Sequence, residues 1–62
     1  MLKELRKEKG LTQMQLSELV GVKRNTIAMI EIGENKPSLE LAMRLAKVLD
    51  CNIDDFVTVD KM

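Results

Sequence analysis

Histidine is absent from the 62-residue chain, cysteine occurs once, at Cys51, and no apolar run approaches the length of a membrane span. Without histidine, and with a single thiol that has no base beside it, general acid–base, nucleophilic and metal-ligand chemistry have almost nothing to act with. Neither an enzyme nor a cofactor is expected. A lone cysteine also excludes a disulfide within the monomer, so tightly packed helices and a partner chain must supply what a covalent bridge would give. Cys51 itself reads as a small buried hydrophobe. A bilayer-spanning helix needs about 20 predominantly apolar residues, and the opening MLKELRKEKG alternates charge with leucine, unlike a signal-peptide core. These absences point to a soluble protein of the reducing cytoplasm.

The chain also lacks net charge, since ten basic residues cancel ten acidic ones. Duplex binding draws affinity from neutralised phosphates, so this balance argues against a nucleic-acid partner until the distribution is considered. Residues 1–36 hold seven Lys or Arg against five Glu, leaving +2, whereas residues 37–62 hold three against five acids, leaving −2. The chain is dipolar, with a basic N-terminal end. A fold this small hides only roughly 60% of the surface its unfolded chain exposes, so one domain, residues 1–62, of marginal stability is expected.

What is present is helical periodicity. A first helix is expected over about Leu2 to Lys9, with Leu2 and Leu5 on one face and Gly10 ending it. Thr12 suits an N-cap for a second helix, with Leu16, Leu19 and Val20 as its buried stripe and Gly21 closing it. A third helix after Val22 turns Ile27 and Ile30 inward and stops at Gly33. Asn35, Lys36 and Pro37 make the following loop, since Pro37 pushes its predecessor out of helical geometry, and Ser38 caps a fourth helix from Leu39 to about Leu49. That helix is the most apolar, with Glu40, Arg44 and Lys47 as its only charged stripe, and is expected to be the central packing element. Asn52 is placed to cap a last short helix carrying Ile53, Phe56 and Val57. Gln13 to Ile32 thus reads as two short helices hinged at Gly21, the second opening its polar face with Lys23, Arg24 and Asn25. That pattern fits a helix-turn-helix.

Leu16, Val20, Val22, Ile27 and Ile30, with small Ser17 and Gly21, preceded by Leu11-Thr12-Gln13 and followed by Glu31 to Glu40, resemble the Xre or Cro/CI type of small helix-turn-helix regulator. The resemblance covers nearly the whole chain. It implies an all-α, compact, five-helix lambda-repressor-like domain with the helix-turn-helix at helices two and three, and a short C-terminal strand is a further expectation from the alternation in Phe56 to Val59. Ser17 stands where the family more often has alanine or glycine, and Met14 and Met29 occupy positions more often charged or polar. In the family an arginine at the position of Arg6 pairs with a glutamate at that of Glu31, a structural tie between helices one and three.

In this architecture the early residues of the second helix of the motif meet base edges. Arg24 and Asn25 are the first candidates, because arginine suits guanine O6 and N7 and asparagine suits adenine N6 and N7. Ala28 and Met29 follow one turn on, where an apolar side chain meets a thymine methyl group. The phosphate-contacting candidates are Lys23, Thr26, Gln13 at the start of helix two, and Asn35 with Lys36 ahead of helix four. A single weakly charged module needs a second copy, so a homodimer reading two half-sites about 34 Å apart is expected. Its interface candidates are Leu41, Val48, Phe56, Val57 and Val59. The functional expectation is a sequence-specific double-stranded-DNA-binding transcriptional regulator, in its simplest form a repressor on a palindromic operator. The alternative is an antitoxin or other protein-interaction module on the same fold, holding a toxin or another regulator through its acidic half.

Overall fold

Leu2, Leu16, Val20, Ile27, Ile30, Ala42, Leu45 and Leu49 form one buried cluster to which every helix of the chain's described part contributes. The structure is a computed structural model that describes residues 2–53. Its elements are α1 (Leu2–Glu8), α2 (Gln13–Val20), α3 (Arg24–Glu31) and α4 (Leu39–Leu49). Among the described residues there are four helices and no strand, where five helices were expected. Of the predicted fifth helix only its cap, Asn52, and Ile53 are described; the rest of it, the C-terminal strand and Phe56, Val57 and Val59 lie in residues 54–62, outside the described part. No described helix is long and apolar enough to cross a membrane.

Local chemistry sets both ends of α2 and the start of α4. Thr12 accepts a hydrogen bond from the Gln15 amide while the Gln15 side chain accepts one from the Thr12 amide, a reciprocal capping box that satisfies two donors at the α2 start. Thr12 alone was expected from the sequence; Gln15 completes the motif. At the far end Gly21 takes a left-handed conformation, φ 76°, and both its own N–H and that of Val22 donate to the Ser17 carbonyl. Ser38 caps α4 by accepting from the Leu41 amide.

Two expectations about packing need correction. Leu19 is 59% exposed, not part of the buried stripe. A helix turns about 100° per residue, so Ser17 and Val20 lie on one flank of Leu16 and Leu19 on the other. The chain buries the first flank, with Ser17 only 1% exposed, its hydroxyl donating to the Met14 carbonyl. The central element is α2, not α4: α2 packs most extensively against α3 and also against α4, while α1 rests on α3. The apolar width of α4 exceeds what α2 covers, leaving Leu39 and Met43 exposed. Cys51 is half-buried at the edge of the core, close to the reading from sequence.

A second set of bonds fixes how α2 and α3 meet their neighbours. Arg44 on α4 pairs with Glu40 one turn back and donates to the Val20 carbonyl, closing one of the last open carbonyls of α2. Arg6 and Glu31, both buried at the side chain, tie α1 to α3, as the resemblance implied.

Candidate nucleic-acid interface

Helix α3 buries Ile27 and Ile30 and turns Arg24 and Asn25, its first two residues, to solvent. At about 100° per residue, Asn25 points about 170° away from the middle of the Ile27–Ile30 face and Arg24 lies on its flank, about 90° from it. Lys23 is the N-cap of α3 and makes no side-chain capping bond, because an ammonium has no acceptor to offer a backbone N–H. The opening turn of α3 therefore presents uncapped amides and the positive end of its dipole beside three exposed side chains, Lys23, Arg24 and Asn25. Thr26, Ala28 and Met29 are half-buried, at the margin between this surface and the core.

Arg24 does not wave freely. Its Nη1 donates to Gln13 Oε1 at 3.1 Å, and Gln13 Nε2 in turn donates to Glu31 Oε1 at 3.0 Å. Glu31 also receives Arg6, from Nε to Oε2 at 2.6 Å and from Nη2 to Oε1 at 3.3 Å, and Arg6 Nη1 holds the Leu11 carbonyl at 2.8 Å. A continuous polar chain thus runs from the buried ion pair to the exposed tip of Arg24. Burial acts to raise the Glu31 carboxyl, but the bonds from Arg6 and Gln13 and the charge of Arg6 outweigh it and hold the group below its ordinary value.

The sequence-predicted phosphate candidates are distributed around this surface. Gln13 is half-buried at the first position of α2, its carboxamide engaged as described, with its backbone N–H at the helix's positive end. Asn35 and Lys36 are exposed, and the amides of Glu34 and Asn35 both donate to the Met29 carbonyl, which folds this loop back over the C-terminal end of α3. Lys7, not selected from the sequence, lines the same shallow cleft as Gln13 and Arg24. Its place in a run of alternating charges gave no sign of it, because only the α1–α2 turn brings it there. Of the interface candidates, Leu41 and Val48 are half-buried against their own core.

The comparisons with known proteins agree with this geometry. The family model described as helix-turn-helix matches residues 2–56. The chain is 47% identical over 62 residues to an uncharacterized HTH-type transcriptional regulator of Methanothermobacter thermautotrophicus, covering 98% of this chain and 90% of that protein. It is 41% identical over 59 residues to another so described from Archaeoglobus fulgidus, covering 95% and 84% respectively. It is also similar to the antitoxin PezA of Streptococcus pneumoniae, 34% identical over 61 residues, which are 98% of this chain and 39% of that one. A two-helix unit with a left-handed glycine hinge, an exposed Arg-Asn start to its second helix and relatives of this kind has one reading: the chain belongs to the helix-turn-helix family of Xre or Cro/CI-type transcriptional regulators, which are DNA-binding proteins and not enzymes.

Proposed function

We propose that this chain reads double-stranded DNA sequence through the start of α3 and acts as a repressor on a palindromic operator, as a homodimer. The observation that carries the reading is the exposure of Arg24 and Asn25 on the first turn of a helix whose opposite face, Ile27 and Ile30, is locked in the core. Arg24 and Asn25 meet base edges, with Ala28 and Met29 against a thymine methyl group. Lys23, Thr26, Asn35 and Lys36, with the backbone N–H of Gln13, hold phosphates and set the register.

Dimerisation follows from charge. With zero net charge and few phosphate contacts, one copy binds weakly at physiological salt, and a two-fold pair doubles the contacts across one helical turn. The uncovered parts of Leu41 and Val48, with Phe56, Val57 and Val59, are the proposed seam. Selection of bound sites from random duplexes, combined with a salt titration, tests the whole reading. The expected result is an inverted repeat with half-sites about 34 Å apart and a steep loss of affinity with salt. No enriched sequence, or a monomer by light scattering at high micromolar concentration, contradicts it.

The similarity to an antitoxin supports a second reading, in which the acidic half of the chain holds a protein partner while α3 binds the operator. A small toxin-like reading frame beside the gene, whose product co-purifies with this chain, is the outcome that favours it.

A further inference from the structure

We propose that the outward face of α4, centred beside Met43, is a self-association surface that pairs antiparallel with the same face of a second copy of this chain. It lies on the flank of α4 opposite to Leu41 and Val48. The inference stands apart from the DNA reading of α3 and adds a contact to the seam proposed above.

Leu39, Glu40, Met43, Arg44 and Lys47 line one shallow trough along α4. Leu39 is 70% exposed and Met43 57%, and because they stand four residues apart their side chains adjoin on one line of the helix. The core takes the other side, through Ala42, Leu45 and Leu49. At about 100° per residue, the middle of Leu39 and Met43 lies about 170° from the middle of Leu41 and Val48, so a partner on one flank leaves the other open.

Charge selects the occupant. Glu40 and Lys47 are separated by two helical turns less about 20°, so they stand on one line of α4 about 10 Å apart, with Met43 beside their midpoint. A two-fold axis perpendicular to α4 at that midpoint sets Glu40 of each copy opposite Lys47 of the other and brings the two Met43 side chains together on the axis. Leu39 of each copy then covers the aliphatic stem of Lys47 of the other. A parallel pairing would set Glu40 against Glu40 and Lys47 against Lys47. Only the antiparallel one is complementary. Both charges are open to it: Lys47 has no ion-pair partner among the described residues, and Glu40 receives Arg44 on Oε2 alone, at 3.0 Å, leaving acceptor sites on its carboxylate.

Two turns of one helix bury far less than the roughly 1,200–2,000 Å² of a stable interface, so the pairing is weak and forms at high protein concentration. It doubles the mass of whatever unit the other flank has assembled.

Sedimentation velocity of the full chain from micromolar to millimolar concentration tests it. The expected result is a reversible doubling of mass toward the millimolar end, weakened by added salt. Met43→Lys, which puts two ammonium groups on the axis, is expected to abolish the doubling. Glu40→Lys and Lys47→Glu each set like charges against one another and should each fail to double alone. An equal mixture of those two variants should associate, because every facing pair is then opposite in sign. That rescue cannot come from refolding, since neither variant repairs its own chain. Absence of doubling in the natural chain at millimolar concentration overturns the proposal, as does doubling that Met43→Lys leaves intact or a mixture no more associated than either variant alone. A doubling that starts from a monomer and is lost in Met43→Lys supports the α4 pairing and removes the seam at Leu41 and Val48; a dimer that never doubles does the reverse.

Discussion

The Arg6 guanidinium and the Glu31 carboxylate meet at 2.6 Å with both side chains withdrawn from water, joining α1 to the end of α3. Burying either charge alone is strongly unfavourable, whereas the pair is satisfied in full: Arg6 also donates to the Leu11 carbonyl, and Glu31 also accepts from Gln13. Removing one member strands the other. Glu31→Met is expected to lower unfolding free energy by about 3–5 kcal/mol, and Arg6→Met to do likewise. The double variant Arg6→Met with Glu31→Met should recover a large part of that loss, which urea unfolding of the three variants measures.

Acid should reveal the same pair. The Glu31 carboxyl titrates below its ordinary value of 4.5 when folded, so the unfolded chain binds the proton more readily. The stabilisation from Glu31 is therefore complete above 4.5 and is lost as pH falls through the lower folded value. Melting temperature followed from pH 6 downward should drop more steeply for the natural chain than for Glu31→Gln, which has no proton to bind. Parallel curves would show that other carboxylates govern acid unfolding.

Lys23 occupies a cap position that serine would fill better. Because it makes no capping bond, Lys23→Ser is expected to stabilise the fold by about 0.5–1 kcal/mol. The same change removes a cation from the proposed DNA-binding surface, so the slope of log affinity against log salt should fall by about one. Denaturant melts and a salt titration on one protein separate the two effects.

Gly21 sets the angle between α2 and α3 through its backbone. A Cβ built there lies 3.7 Å from Arg44 Nη1, an ordinary contact, so the cost of Gly21→Ala is the left-handed conformation and not a clash. That cost is about 1–2 kcal/mol. Gly21→Asn, whose side chain tolerates this region, should lose less, and the ordering of the two urea midpoints checks the cause.

Much of this architecture was legible in the sequence because local chemistry decided it. Gly21, the Thr12 cap, Ser38 and the span Leu39 to Leu49 stand where propensity placed them. The exposure of Leu19 and Met43 was not legible, since periodicity shows that a helix has an apolar stripe but not how much of its width a neighbour covers. The prominence of α4 in apolar content likewise misidentified the central helix, a property of the arrangement and not of composition. Within the site, Arg24 and Asn25 were marked by their place after the glycine turn. The double engagement of Gln13 was not, because its partners lie 11 and 18 residues away and meet it only when α2 and α3 cross.

The proposed reading of DNA sequence by the exposed start of α3 rests on two side chains, Arg24 and Asn25. Affinity of Arg24→Ala combined with Asn25→Ala, for the selected operator and for an unrelated duplex at the same salt, tests it most directly. The two candidate bidentate pairs represent about 2–6 kcal/mol of discrimination together, so the double variant should bind both duplexes alike while remaining folded. An operator preference retained in full by the folded double variant would contradict the account.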